Sequence, residues 1–388
     1  MQRIACEERA DWREKAEAEG FAFHTIDGER YWDERAYYAF TLEEIERDIE
    51  APTAELERMC RELVARVVDD EHMLKRLCIP QRFWTLIAAS WKRNDPSLYG
   101  RFDLSYDGQG PAKLLEYNAD TPTSLFETAV FQWQWLEDAK ARLITTQDAD
   151  QYNSLHEQLI AGWKEIAARA SGTLHLAGDL TSPEDAGTLA YLEDTARQAG
   201  LATTVLAMEN IGRTPKGAFV DLANKDITLC FKLYPWEWMF HDQFGAALAG
   251  APTRWVEPPW KAILSNKGIL PLLWEMFPRH PNLLPAYFED DQKARELGNS
   301  FARKPLFSRE GANVAIVVGG EAIDQDAGPY GAEGFVRQAV ATLPRFAENY
   351  VAIGSWIAGG KPCGLSARED MSPITKNTSR FLPHAIVG

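Results

Sequence analysis

Tyr99-Gly100-Arg101-Phe102-Asp103-Leu104, then Asp107-Gly108-Gln109-Gly110, then Pro111-Ala112-Lys113-Leu114-Leu115-Glu116 is the stretch on which the reading of this chain turns. An Asp-Gly pair between two short runs of aromatic and aliphatic residues predicts a β-hairpin. Side chains alternate faces along a strand, so Arg101 and Asp103 share one face of the first strand. Glu116, Asn118 and Asp120 also alternate by two and share a face if the second strand runs on. Oxygen-bearing side chains that converge with Asp103 suit a hard cation such as Mg²⁺. A hydrated turn would carry the same residues, and spacing alone leaves both readings open. Arg101 would counter the carboxylates or hold an anionic substrate.

The rest of the chain narrows the choice. It has 388 residues, which corresponds to about two to three domains. Hydrophobic residues make up 45% and charged residues 25%, the balance of an ordinary folded protein. Forty-one Lys and Arg against 57 Asp and Glu give a net charge of -16, a field that repels a nucleic-acid backbone. A phosphorylated small molecule in a locally basic pocket is still compatible with it. No run of 18 apolar residues occurs, so no membrane span is expected. Met1 to Asp11 has no apolar stretch of signal-peptide length, and the five cysteines are scattered with no CxxC pair. Reduced thiols in a cytoplasmic protein are the expectation. The seven histidines are scattered too, which offers no zinc set.

Local signals predict several further elements. The first 75 residues hold 21 acidic and 11 basic groups, a net of -10. Thr41 with Glu44 reads as a capping box, and Leu56, Met59, Leu63, Val64, Val67 and Val68 form one helical face. The acidity there is either a solvated helical surface or a wall that attracts a cationic substrate. A helix is expected over 125–143, with Phe126, Val130, Trp133 and Leu136 at core spacing, and another over 153–169. From about 173 to 250 strands and helices alternate. Leu174–Asp179 and Ala202–Met208 read as strands around a helix with Ser182 at its N-cap and Pro183 at its first position. This unit resembles a small α/β domain. No GxGxxG, Walker motif or Gly-x-Ser-x-Gly elbow is present.

Basic residues stand in otherwise apolar settings at Lys232, Lys267, Lys304 and Arg368. Arg309 leads into Glu310-Gly311-Ala312-Asn313-Val314, where Gly311 would allow close backbone approach to an anion. Lys232, within Leu229-Cys230-Phe231-Lys232-Leu233-Tyr234, either snorkels to the surface or binds phosphate. With one acidic cluster, these groups describe a nucleoside triphosphate held between basic side chains and a metal.

Five segments in order carry a family pattern. They are Tyr99–Asp103, Leu115-Glu116-Tyr117-Asn118-Ala119-Asp120, Lys232-Leu233-Tyr234-Pro235-Trp236-Glu237, Asn266-Lys267-Gly268-Ile269-Leu270-Pro271, and Gly354-Ser355-Trp356 with Ala367-Arg368-Glu369-Asp370. They resemble the synthetase domain of glutathionylspermidine synthase, over nearly the whole chain. The resemblance implies an α+β, α/β multi-domain architecture, an ATP-grasp fold with a pre-ATP-grasp α/β unit inserted in the chain. It implies a helical part over 1–97, a metal-binding hairpin with core helices over 98–171, the α/β unit over 172–255, and the nucleotide-binding part and lid over 256–388. Asp103, Glu116 and Asn118 then look like Mg²⁺ ligands, with Asp120 behind them. Arg101 looks like the group that steadies the transferred phosphoryl, and Arg368 like a second active-site arginine. Lys232, Lys267, Lys304, Arg309 and Gly311 look like the ATP-binding set.

The implied reaction is ATP-dependent carboxylate–amine ligation through an acyl phosphate, with ATP and Mg²⁺. The partners would be a peptide-like acid, glutathione in the family, and an amine such as the polyamine spermidine. Two departures from the bifunctional members stand out. No N-terminal amidase module is expected in this chain, and Thr121-Pro122-Thr123-Ser124 stands where those proteins tend to carry small serines and a cysteine. A phosphotransferase on the same fold, or a non-catalytic Mg-ATP-binding protein, remains as an alternative.

Overall fold

A computed structural model describes residues 1–170, 172–341 and 343–388; the boundary expected at 171/172 falls on Ser171, outside the described residues. The hairpin forms from strands Tyr99–Ser105 and Lys113–Asn118. Gly108 and Gly110 take positive φ between them, and the Asp107 carboxylate accepts a hydrogen bond from the Gln109 N–H at 2.8 Å. Arg101 lies opposite Asn118 and Asp103 opposite Glu116, which sets all four side chains on one face. The register then slips, so that Leu104 pairs with Leu114. Leu115 is the extra residue of a β-bulge, and the bulge turns Leu114 into the core although it has the parity of Glu116. On the buried face Phe102 and Tyr117 stack with ring centroids 3.9 Å apart.

This hairpin is the edge of a larger antiparallel sheet. Its strand order is Arg380–Leu382, Lys361–Asp370, Asn349–Ala358, Tyr99–Ser105, Lys113–Asn118. Under it packs the helix Ala51–Val67, with Leu56, Met59, Leu63, Val64 and Val67 buried. The Thr41/Glu44 capping box is present at the start of this helical run. A second, wholly parallel sheet has the order Arg254–Val256, Leu229–Leu233, Leu174–Gly178, Thr203–Ala207. Helix Pro183–Gln198 covers it, with Ser182 Oγ accepting from the Asp185 N–H at 3.3 Å. Helix Leu155–Ala167 buries Leu159 and Trp163 between the two sheets.

The third large sheet is antiparallel: Ala286–Phe288, Phe335–Gln338, Phe301–Pro305, Ala315–Val318, Glu321–Gln325. Polar ties fasten it to the hairpin. Lys304 Nζ donates to the Leu115 carbonyl at 2.9 Å, Gln338 Nε2 donates to the Leu114 carbonyl at 2.9 Å, and the Leu114 N–H donates to the Asn282 carbonyl at 2.8 Å.

One expectation needs correction, and one open choice resolves. Leu136 faces the core as expected, but Trp133 is 39% exposed and Trp135 takes the core position in its place. The segment Glu127–Phe131 is a π turn, which inserts a residue relative to the α-helix and advances the phase of Gln132–Ala141. Asp33, Glu34, Asp48 and Glu57 are buried, but most acidic groups of the first 75 residues face solvent rather than walling the cleft. Their carboxylates pair locally, as in Arg47–Glu43 and Arg58–Glu62, and none of these residues lines the cavities described below. Among the described residues no helix is long and apolar enough to cross a membrane.

Candidate active site

The polar face of the hairpin floors a cleft. Arg101 is 8% exposed and grips Asp103 with two bonds, Nε to Oδ1 at 2.6 Å and Nη2 to Oδ2 at 2.9 Å. Its Nη1 donates to the Thr123 carbonyl at 2.6 Å. Asn118 Nδ2 donates to Asp103 Oδ2 at 2.9 Å and lies 3.4 Å from Glu116 Oε1. Gly354 is the residue paired with Asp103 on the neighbouring strand, and a Cβ there would lie 2.7 Å from Arg101 Cδ. Only glycine leaves room for the Arg101 side chain at this point. Gly354→Ala is therefore expected to displace Arg101, cost about 1–3 kcal/mol by overpacking, and slow nucleotide turnover; a melting curve with a turnover assay checks both effects.

Lysines form the roof. Lys267, in the turn before helix Ile269–Met276, donates from Nζ to the Ser308 carbonyl at 2.8 Å and pairs with Glu116 Oε2 at 3.0 Å. Lys304, on the third sheet, is 7% exposed and also donates to Gln338 Oε1 at 2.8 Å. Burial raises the Glu116 carboxyl, but Lys267 and Lys304 outweigh it and hold that carboxyl well below the usual range. Burial pushes the Lys304 ammonium down to about 8, against the pull of Glu116. Beyond Lys304 lies a slot of about 100 Å³ with apolar walls that include Val314, Ile316, Leu343, Ala352 and Ile374. Gly311, at φ +76, borders both the slot and the cleft, and a Cβ on it would lie 2.9 Å from the Thr375 carbonyl oxygen.

Arg368 lines the cleft, yet most of its donors are committed. Nε donates to the Ser379 carbonyl at 2.9 Å, Nη2 to the Lys376 and Asn377 carbonyls at 3.0 Å each, and Nη1 to Ser124 Oγ at 2.8 Å. One Nη1 proton is left over. Behind Ser124, Tyr31 bonds both Ser124 Oγ and Glu127, and burial with Glu184 nearby pushes the Glu127 carboxyl up to about 7. Arg309 bonds Thr121 Oγ1 and lies 3.6 Å from Glu237 Oε1.

Lys232 does not reach these cavities. It is 0% exposed and pairs with Asp120 Oδ1 at 2.5 Å. Its strand is interior to the parallel sheet, so the ammonium has no route to the surface and meets a buried carboxylate instead. Asp120 leaves the metal-facing set for the same reason; its other oxygen accepts from the Trp236 N–H at 2.9 Å.

Among the described residues no group of three His, Cys, Asp or Glu side chains converges as a metal site. Asp103, Glu116 and Asn118 offer two carboxylates and an amide on one face. These are hard oxygen donors that fit Mg²⁺ once the amide of Asn118 turns its Oδ1 inward.

A larger cavity of about 640 Å³ opens from the cleft. The two share Thr121, Thr123, Arg309, Glu310 and Asn377. Asp179, Glu184 and Asp185 line it. The sequence signals mark only a helix start at Ser182 and Pro183 here; Glu127 goes unmarked, and Glu237 stands only inside a family segment with no role. Three carboxylates between 179 and 185 were the available signal. Burial first, then Glu184 and Asp179, push the Asp185 carboxyl up to about 7.

Two sheets closing on a cleft with carboxylates below and lysines above are the architecture of an ATP-grasp enzyme. A family model described as glutathionylspermidine synthase preATP-grasp matches residues 3–387, and the chain belongs to that family. Its α+β multidomain architecture is accordingly ATP-grasp-like, with a pre-ATP-grasp unit. A Haemophilus influenzae protein named "Putative acid--amine ligase" is 40% identical over 385 residues, 95% of each chain. A trypanothione synthetase of Crithidia fasciculata is 30% identical over 345 residues, covering 82% of this chain; the match spans 52% of that protein. The solved structure of a glutathione synthetase-like effector from Globodera pallida superposes with a TM-score of 0.59 over 98% of each chain at 11% identity, a likeness of fold. Family membership supports ATP-dependent carboxylate–amine ligation as the class of activity.

Proposed function

We propose that the chain joins a peptide-like carboxylic acid, glutathione or a relative, to an amine, forming an amide and releasing ADP and phosphate. The observation that carries this reading is the hairpin face of Arg101, Asp103, Glu116 and Asn118 set against Lys267 and Lys304, with an acid-lined cavity opening from the same cleft. The alternatives are a phosphotransferase, which would release ADP without consuming an amine, and a non-catalytic Mg-ATP-binding protein.

In this reading Asp103, Glu116 and Asn118 hold Mg²⁺, which when bound neutralises charge on the triphosphate. Lys267 and Lys304 bind the phosphates, the loop at Arg309 and Gly311 covers them, and the apolar slot beyond Lys304 takes the base. The acid's carboxylate oxygen bonds to the γ-phosphorus as the bond to the bridging oxygen breaks and ADP leaves. Arg101 and the remaining Nη1 proton of Arg368 steady the transferred group. The amine nitrogen then bonds to the acyl carbon, phosphate departs with the electron pair, and the nitrogen gives up its surplus proton. The hairpin over 98–171 is then the floor of the site and 256–388 the nucleotide-binding part and lid. The compartment in this reading is the cytoplasm, where five unpaired cysteines persist.

ADP release from Mg-ATP is the test, first alone, then with glutathione, then with glutathione and spermidine. Release that needs acid and amine together, with a product mass equal to their sum minus water, supports the ligase. Release without an amine favours the phosphotransferase.

The cavity gives a pH prediction. Asp185 is neutral below its value of about 7 and a carboxylate above it. Attraction for an ammonium therefore grows as pH rises, and the KM for the amine should fall between pH 6 and 8. Asp185→Asn should flatten that profile while leaving the KM for ATP in place.

A further inference from the structure

Four side chains form one hydrogen-bonded row behind the cleft. Arg368 Nη1 donates to Ser124 Oγ at 2.8 Å, Ser124 Oγ lies 2.9 Å from the Tyr31 hydroxyl, and that hydroxyl donates to the Glu127 carboxylate. An arginine only donates and a serine hydroxyl has a single proton, so with Glu127 ionised the direction is fixed. Ser124 accepts from Arg368 and gives its own proton to the Tyr31 oxygen; Glu127 accepts at the far end. Ser124, Tyr31 and Glu127 are each 1% exposed and line none of the cavities above, and of the four only Arg368 reaches the cleft. Among the described residues the other acceptors of Arg368 are the backbone carbonyls of Lys376, Asn377 and Ser379.

Two features set the row apart from ordinary core packing. Ser124 holds φ +69, a left-handed conformation that a non-glycine residue keeps only where its surroundings dictate it. Glu127 is a buried carboxyl that burial and Glu184 push up, while the Tyr31 hydroxyl and the Arg368 charge at the other end of the row pull it down. A buried carboxylate is costly, and an apolar side chain would serve packing alone better. Resting on the ligase reading, in which Arg368 steadies the transferred phosphoryl, we propose that Ser124, Tyr31 and Glu127 are positioning residues that aim the Arg368 guanidinium. Ser124 occupies one Nη1 proton and leaves the other for the phosphoryl. Tyr31 takes the serine proton and so keeps a serine lone pair turned toward Arg368. Without Glu127 the Tyr31 proton would turn to Ser124 and compete with Arg368 for that oxygen. An aligned row also polarises each of its bonds.

Binding of Mg-ADP to the full chain, with and without fluoroaluminate as a mimic of the transferring phosphoryl, tests this. Wild type should gain affinity when fluoroaluminate is added. Tyr31→Phe keeps the ring 5.0 Å from the guanidinium carbon and removes only the hydroxyl. It should cut that gain about fivefold or more, the effect of one hydrogen bond, and leave Mg-ADP alone within about twofold. Ser124→Ala should cut the gain equally, and adding Tyr31→Phe to it should cost nothing more. Glu127→Gln, whose amide oxygen still accepts from Tyr31, should keep most of the gain that Glu127→Leu loses. Melting curves identify any variant that fails to fold, and either single variant of the two hydroxyls decides without the other. An unchanged gain in Tyr31→Phe, an equal loss with and without fluoroaluminate, additive losses in the double variant, or equal effects of the two Glu127 variants overturns the inference and leaves the ligase reading intact. If wild type gains nothing from fluoroaluminate, the reading of the cleft as a phosphoryl-transfer site falls and takes the inference with it.

Discussion

Glu116→Gln should lower the rate of ADP formation by about 10²–10³-fold, the range associated with losing one charged group that acts on the transferring phosphoryl. Glu116 faces Asp103 across the hairpin and pairs with Lys267 at 3.0 Å, so in the proposed site it would serve both the Mg²⁺ set and the lysine roof. Glutamine keeps the shape and removes the charge. In the proposed reading the same change removes a negative group from beside the phosphates. The affinity for Mg-free ATP should therefore hold or rise while turnover collapses. Single-turnover kinetics with a separate binding titration measures both. Normal turnover with a lowered melting temperature would reduce Glu116 to a structural counter-ion for Lys267.

Lys232→Met is expected to cost about 3–5 kcal/mol of stability, because it leaves the Asp120 carboxylate buried without its cation. Adding Asp120→Asn should recover much of that loss. An asparagine oxygen still accepts the Trp236 N–H, and no uncompensated charge remains. Urea unfolding of the single and double variants gives the two stabilities. ATP affinity in the double variant then separates the roles of Lys232. An affinity within about twofold of wild type fits the buried ion pair seen here. A loss of tenfold or more would return Lys232 to the phosphate-binding set that family resemblance assigns to it.

The four side chains on the hairpin face were legible because a strand's period of two is local and the Asp-Gly turn announces itself. The bulge at Leu115 left that reading intact, since it falls between Leu114 and the functional residues. Lys232 was correctly singled out as a charge in an apolar strand, but its partner lies 112 residues away, and no local pattern names it. Trp133 failed for a related reason. A single π turn shifts the phase of the helix without altering its composition. Lys304 stood out as a charge, while its strand Phe301–Pro305 did not; FARKP has no alternation, and strands of the third sheet pair across gaps filled by unpatterned loops. The carboxylates Glu184 and Asp185 of the larger cavity hid behind an ordinary explanation, since acidic residues in the first turn of a helix are expected on dipole grounds alone.

The polar ties between the hairpin and the third sheet bear on how the molecule yields to heat. Lys304 and Gln338 each hold a backbone carbonyl of the strand Lys113–Asn118, and Asn282 holds the N–H of Leu114. Separating the sheets along this seam would expose these buried partners together. The third sheet and the hairpin are therefore expected to part together, and a calorimetric scan should show one transition for both.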